Sequence, residues 1–475
     1  MSVRPVDASE VTEWAGEADV VVVGFGVAGA CAAYEAATTG ASVLILERAG
    51  GPGGASALSD GMIYLGGGTG TQAAAGVTDS PEAMRAFLLA ACGPAPDESK
   101  IDLYVGRSVE HHDWLLARGV RFLGTVDPLS AGPSAARGEG LMFTGGENAW
   151  PFDELAAPAQ RAHVTQGTRQ GGAALMAALG AEAERAGAEP VYGVRAERLI
   201  TEDGRVRGVL ADRYGQRVAF RAAGGVVLAS GGFVFNDEML SSYAPAALRT
   251  RTRLGTEGDD GQGIRMAQAV GARVKRMDSL EWALPFNMAR GNVSGILVNA
   301  LGRRFVNEDT YMGRVGQAAM HEEAVHLIVD EARYDPAALG TPASAVAESA
   351  DELGAELGLP AGSLTATLAY YNEHAAQGED PLFRKRPRWL TPLTGPLAAF
   401  ALGPRHFPHC VFTLGGLDTL PTGEVLDQDG DPVPGLYAAG RTTSGVAARG
   451  YCSGLSLGDG SLFGRLAGRR ATGKG

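Results

Sequence analysis

An apolar run from Asp19 to Val23 ends in Gly24-Phe25-Gly26-Val27-Ala28-Gly29, and an alanine-rich stretch follows to Thr39. A second apolar run, Ala41 to Leu46, then ends at Glu47. Nothing else in the chain limits its fold so tightly. Strand, glycine turn, helix and strand in this order form a βαβ unit, whose parallel strands need a right-handed crossover and helices covering the sheet. Each glycine has a steric reason. Gly24 makes the tight turn, Gly26 lets backbone approach a pyrophosphate, and Gly29 lets helix and strand pack. The pyrophosphate sits at the helix N-terminus formed by Val27 and Ala28, where free N–H groups and the helix dipole favour an anion. Glu47 is placed to accept hydrogen bonds from a ribose hydroxyl pair, with Arg48 beside it.

Two further segments decide which dinucleotide is meant. Gly53-Gly54-Ala55-Ser56 after Glu47 is a small-residue loop that can lie against a flavin diphosphate. Far along the chain, Gly435-Leu436-Tyr437-Ala438-Ala439-Gly440 reads as a strand returning to the same sheet, followed by Arg441. A second G-x-G-x-x-G is absent, so no nicotinamide domain is expected, and without a C-x-x-C there is no disulfide reductase chemistry. FAD is the expected cofactor. Gly61, Gly232, Leu455, Ser456 and Leu457 join Gly24, Gly26, Gly29, Glu47, Arg48, Gly54, Ala55, Ser56 and Gly440 as expected contacts.

At 475 residues the chain is too long for one compact core. Between about Arg273 and Ala398 the pattern changes to short strands and helices with charged faces, including Ala345 to Leu357 and Ser363 to Glu373. The expected architecture is α/β: a Rossmann-type FAD-binding domain in two parts, 1–272 and 399–475, with an inserted α+β cap domain at 273–398. Helices are also expected at Gly171 to Ala186 and Ser456 to Gly473, and a strand pair at Val194 to Leu199 and Val206 to Arg213. A net charge of −13 argues against nucleic acid and anionic membrane as partners. No run of about 18 apolar residues suggests a span. Met1 to Asp19 is polar and acidic, unlike a signal peptide. Four scattered cysteines fit a reduced, cytoplasmic protein.

Gly53 to Ser59, Ala229-Ser230-Gly231-Gly232-Phe233, Gly261-Gln262-Gly263-Ile264-Arg265-Met266-Ala267, Gly295 to Asn299, Gly302 to Glu308 and Thr413-Leu414-Gly415-Gly416 follow in order along the chain. On these motifs it resembles the flavoprotein superfamily of fumarate reductases and 3-ketosteroid dehydrogenases. The resemblance implies a mobile cap closing over the isoalloxazine, hydride exchange at flavin N5, and a side chain moving a proton on the adjacent carbon. Fumarate reductases clamp a dicarboxylate with two His and an Arg. Phe412, Ala447 and Tyr451 stand at the aligned positions here. A buried carboxylate without cationic partners is costly, so a neutral, apolar ketone is the expected substrate.

Tyr64 to Thr69, Glu308-Asp309-Thr310-Tyr311 and Tyr451-Cys452-Ser453-Gly454 look like the branch that desaturates C4–C5 of 5α-3-ketosteroids. That likeness carries its functional tyrosines and serine to Tyr311, Tyr451 and Ser453. These three are expected to form one hydrogen-bonded proton relay, while the Gly454 N–H and a hydroxyl polarise the ketone. Which hydroxyl touches the substrate is open. Some relatives bind flavin covalently through a His just after the Gly-Gly-x-Ser loop. No His lies between Gly50 and Glu110, so the FAD is expected to be noncovalent. The electron acceptor is not specified by the sequence.

Competing readings are a 1-ene dehydrogenase, a desaturase or ene-reductase for another cyclic enone or ketone, and a flavin-binding protein without turnover. His111-His112-Asp113 reads as a solvated helix face rather than a metal site, and His406 and His409 as structural. No metal ligands are expected.

Overall fold

The computed structural model describes residues 3–129, 138–167, 171–333 and 339–473. Its centre is a nine-stranded sheet around the strand Gly16–Val23. Val20–Val23 pair in parallel with Val43–Leu46 on one side and with Gly225–Leu228 on the other. All four valines are buried, as expected for a strand covered on both faces. The long strand Gln216–Leu228 has two uses. Its first half closes an antiparallel meander with Val194–Glu202 and Arg205–Arg213, and its end receives Leu436–Ala438 in parallel. Residues more than 200 positions apart are thus neighbours beside the glycine turn.

The helix Val27–Thr38 packs against the C-terminal helix Leu455–Ala471 with almost no side chain between them. A Cβ on Gly464 would sit 2.5 Å from the Ala28 carbonyl oxygen, and one on Gly468 only 2.0 Å from that of Ala32. Small residues four apart on one helix and alanines on the other let the backbones touch, which draws both helix N-termini to the same region.

A second body is built on the antiparallel sheet Ile296–Asn299, Val325–Asp330, Leu397–Ala401 and Ala345–Ala347, with its own apolar core. A three-stranded sheet of Thr252–Arg253, Cys410–Thr413 and Leu280–Ala283 forms its base. The fold is α/β, a Rossmann-type FAD-binding architecture carrying an α+β insertion.

Two expectations need correction. Ala345 to Leu357 is not one helix: Ala345–Ala347 is a strand paired with Leu397–Ala399, and the helix is Ala350–Glu356. Ser349 stops it from starting earlier, because its hydroxyl caps the Glu352 N–H. His111 and His112 are not solvated. The helix Glu98–Ala117 turns both inward, where His111 Nε2 meets Ser461 Oγ at 2.7 Å and His112 Nε2 meets Thr71 Oγ1 at 2.8 Å. Burial also holds the His111 pKa well below its ordinary value. Only Asp113 faces water.

Candidate active site

The glycine turn opens into a cavity of about 960 Å³ that runs from Glu47 to Tyr451. Phe25 N–H and Ala49 N–H hold the Glu47 carboxylate at 2.8 and 2.7 Å. Gly24 has φ +100°, and a Cβ there would lie 2.6 Å from the Ala229 oxygen. At Gly29 it would lie 1.9 Å from the Gly24 oxygen. Gly26 is different, since a Cβ there would meet only ordinary contacts, Ser56 Oγ at 3.4 Å and the Gly53 oxygen at 3.7 Å. No side chain caps the helix Val27–Thr38; Ser56 Oγ takes the Val27 N–H and leaves the rest of the first turn open. The residues present therefore fit an FAD: an uncapped helix N-terminus for the diphosphate, and an anchored carboxylate beside it.

At the other end stands the loop before the C-terminal helix. Arg449 and Gly450 N–H groups bind the Cys92 oxygen, the Ser453 N–H donates to the Thr144 oxygen, and the Thr144 hydroxyl donates to the Ser453 oxygen. Gly454 caps the helix with φ +101°, and a Cβ there would sit 2.8 Å from Tyr64 N. Its own N–H has no partner among the described residues.

Tyr311, at the start of the helix Met312–Ala319, is 1% exposed. Its hydroxyl donates to Glu281 Oε1 at 3.0 Å and lies 2.8 Å from Ser453 Oγ. With the Tyr311 proton committed to Glu281, the Ser453 hydroxyl donates to Tyr311, and its lone pairs remain open to the cavity. Burial, then the Glu281 charge, pushes the Tyr311 phenol well above its ordinary value. Burial pushes Glu281 up to about 7. Tyr451 stands apart from this chain. Its oxygen accepts the Ser456 N–H at 3.2 Å, so its own proton is free, and its ring meets Phe412 edge-on at 5.1 Å. The single three-residue relay expected from sequence is thus two devices. Ser453 and Tyr311 are joined, and Tyr451 is a separate donor at the helix N-terminus.

Among the described residues, the arginines that line the cavity all have aspartate partners: Arg48 and Arg195 with Asp260, Arg253 with Asp237, and Arg441 with Asp259. No Lys or His among the described residues lines it.

A family model described as FAD binding domain matches residues 19–457. The chain belongs to the FAD binding domain family. This flavoprotein is similar to the solved structure of the 3-ketosteroid-delta4-(5alpha)-dehydrogenase of Rhodococcus jostii RHA1 in complex with 4-androstene-3,17-dione. The two are 47% identical, the match covers 99% of this chain and 100% of that one, and the TM-score is 0.92. It is also 29% identical to the 3-oxo-5-alpha-steroid 4-dehydrogenase of Comamonas testosteroni, over 92% of this chain and 95% of that protein. The 4-oxocyclohexanecarboxylate 2-dehydrogenase of Sinomonas cyclohexanicum is likewise 29% identical, over 96% of this chain and 93% of that one.

Tyr311, Tyr451, Ser453 and Gly454 all line one cavity with Gly24, Gly26, Val27, Ala28, Glu47 and Arg48. Gly54, Ala55, Ser56, Gly440, Ser456 and Leu457 line it as well. Gly29, Gly61, Gly232 and Leu455 do not. Gly29 and Gly61 are packing positions, where a Cβ would come within 1.9 and 2.2 Å of backbone. Gly232 lies behind the wall, giving its N–H to Asp259. Of the three positions aligned with a carboxylate clamp, Phe412 and Tyr451 face the cavity and Ala447 does not.

Sequence reasoning missed Glu281 and Asp259. Asp259 accepts from Gly232 N, Thr256 N and Arg441 at 2.9 to 3.0 Å and so fixes the loop over the cavity. Glu281 did leave a signal, being one acid inside Leu280-Glu281-Trp282-Ala283-Leu284.

Proposed function

We propose that this flavoprotein desaturates a 5α-3-ketosteroid between C4 and C5. The observation that carries this is the Ser453–Tyr311 hydrogen bond, with a separate Tyr451 hydroxyl in the same cavity, whose described cations are all paired. Bound FAD supplies the acceptor for a hydride. Tyr451 gives its free proton to the ketone oxygen as a hydrogen bond, with the open Gly454 N–H beside it at the helix N-terminus. Donors aimed at a developing enolate are worth about 2.7–4 kcal/mol each in a site of this kind. Polarisation acidifies the neighbouring C–H, and Ser453 Oγ, hydrogen-bonded to the Tyr311 hydroxyl, is the group placed to receive that proton. Phe412, Met288 and Leu254 give the lining an apolar face suited to a ring system. The likeness to the Rhodococcus and Comamonas steroid dehydrogenases supports the same reading.

The FAD is held noncovalently in this reading, since no histidine among the described residues lines the cavity. The division into FAD domain (1–272, 399–475) and cap (273–398) is part of it. So is a cytoplasmic location, consistent with four free cysteines. Among the described residues no helix is long and apolar enough to cross a membrane.

Anaerobic mixing of the holoenzyme with a 5α-3-ketosteroid tests the proposal. Rapid bleaching of the flavin, with a 4-ene-3-ketone as product, is expected. Bleaching by 4-oxocyclohexanecarboxylate but not by the steroid overturns the substrate, and bleaching by neither overturns the dehydrogenase reading.

A further inference from the structure

Buried carboxylates elsewhere in this protein are held either by cations, as Asp79, Glu308 and Asp309 are, or by N–H and O–H donors, as Glu47, Glu147 and Asp459 are. Glu308 is the nearest comparison: Arg304 Nη2 lies at 2.7 Å and Lys385 Nζ at 3.0 Å, and together they outweigh burial and lower its pKa. Glu281 is equally buried, at 2% exposure, but forms no ion pair among the described residues. Its Oε1 takes the Tyr311 hydroxyl, and its Oε2 has no hydrogen-bond partner among the described residues. Leaving a carboxylate oxygen orphaned in the interior is expensive unless the group takes up a proton. A carboxylate held this way stores a proton rather than holding two segments together.

Its surroundings are few and all bear on the same point. Tyr311 and Arg314 face it from the Met312–Ala319 side, Cys410 from the neighbouring strand, and Tyr451, Cys452 and Ser453 from the C-terminal loop. Arg314 is the only cation among them. It is committed elsewhere, with Nε on the Gly145 oxygen at 3.2 Å and its guanidinium over the Phe152 ring. The Cys410 thiol is pushed up, by burial first and the Glu281 charge second, so it stays protonated.

We propose that Glu281 is the proton-accepting end of a relay Ser453–Tyr311–Glu281. This rests on the dehydrogenase reading above. The proton α to the ketone moves to Ser453 Oγ, the serine's proton to the Tyr311 oxygen, and the tyrosine's proton to Glu281 Oε1. Both hydroxyls are restored and the carboxylate becomes a neutral acid. The electron pair of the broken C–H bond becomes the ring double bond, and the hydride leaves the β-carbon with its own pair to FAD, the oxidant. Glu281 touches no reacting atom; it is a positioning residue that acts through Tyr311. A carboxyl of ordinary basicity would hold the proton poorly at neutral pH, whereas one raised to about 7 is matched to it.

The test uses the FAD-loaded protein with Glu281→Gln, Glu281→Asp and Tyr311→Phe. In the wild type, the flavin reduction rate rises as pH climbs through about 7 and then levels. Glu281→Gln loses that limb and falls about 10²-fold, with KM little changed, and Glu281→Asp restores part of both. An unchanged rate and pH profile in Glu281→Gln overturns the relay. A second readout needs no substrate: in the wild-type minus Glu281→Gln infrared difference, which cancels the other raised buried acids Asp459 and Glu147, a carboxylic-acid band bleaches as pH rises through about 7. A difference spectrum with no band titrating there overturns the assignment. If the steroid fails to bleach wild-type flavin, the substrate reading falls and the infrared titration still decides Glu281.

Discussion

Tyr451→Phe removes one hydroxyl and leaves the ring where it is. The edge-on contact with Phe412 at 5.1 Å involves carbon atoms only, and the side chain is buried. The loss to the fold is confined to the Ser456 N–H, whose acceptor at 3.2 Å disappears at the first turn of the C-terminal helix. That costs about 1 kcal/mol, because the bond is long and the helix keeps its other contacts. The loss to catalysis is larger. In the proposed reaction Tyr451 is the donor to the ketone at this end of the cavity, and its hydrogen bond would strengthen as charge builds on the ketone oxygen. Removing one such donor lowers the rate about 10²–10³-fold, equivalent to about 2.7–4 kcal/mol. Because the effect belongs to the transition state, kcat falls and KM changes little. Anaerobic stopped-flow at saturating 5α-3-ketosteroid reads the step directly as loss of flavin absorbance. A variant with full FAD content that reduces its flavin within about threefold of the wild-type rate refutes the role given to this hydroxyl.

Further outcomes follow from the geometry. Gly454→Ala forces a side chain into a left-handed residue 2.8 Å from Tyr64 N, and is expected to cost about 1–3 kcal/mol in chemical denaturation while loosening FAD. Gly468→Ala places a Cβ 2.0 Å from the Ala32 oxygen and should lower the thermal midpoint by prising the two central helices apart, at about 1–3 kcal/mol. Glu281 is raised from 4.5 to about 7 by burial, so folding favours its protonated form. Its contribution is greatest below pH 4.5 and declines as pH rises toward about 7, by on the order of 3 kcal/mol at most. Glu281→Gln should therefore be more stable than wild type at pH 8 and not at pH 4.5, as read by thermal unfolding at the two values. Acid precipitation should leave the yellow colour in the supernatant, and a yellow pellet would disprove noncovalent binding.

The half of the site that holds the nucleotide was legible because backbone sterics write it into local sequence. Gly24, Gly26 and Gly29 are spaced by the geometry of one turn, and Glu47 closes the next strand. Tyr311, Tyr451 and Ser453 were legible only through resemblance, since a tyrosine in a loop carries no signature of its own. Their division of labour was not legible at all. Tyr451 and Ser453 are two residues apart, but the turn at Gly454 sends one hydroxyl to the Ser456 N–H and the other to Tyr311. Glu281 escaped notice because a lone acid in an apolar strand suggests a face turned to water. The strand is instead covered by the helix Met312–Ala319, so closely that a Cβ on Gly316 would lie 1.9 Å from the Trp282 oxygen. His111 and His112 misled for the same reason. Whether a polar helix face meets solvent depends on partners such as Ser461 and Thr71, which lie up to 350 residues away.

The hydrogen bond between Tyr311 and Ser453 joins two separate parts of the molecule. Tyr311 and Glu281 belong to the packed helix and strand at the base of the insertion, and Ser453 to the loop anchored on Thr144 and Cys92. With Gln317 Nε2 on the Arg449 oxygen at 3.1 Å across the same seam, that 2.8 Å contact is an interlock. On the proposed relay, any motion that parts the seam to admit or discharge a ligand would disconnect the serine from its proton sink in the same instant. A gaping site would then be chemically idle, and deprotonation would begin only after the seam had shut around a seated ring.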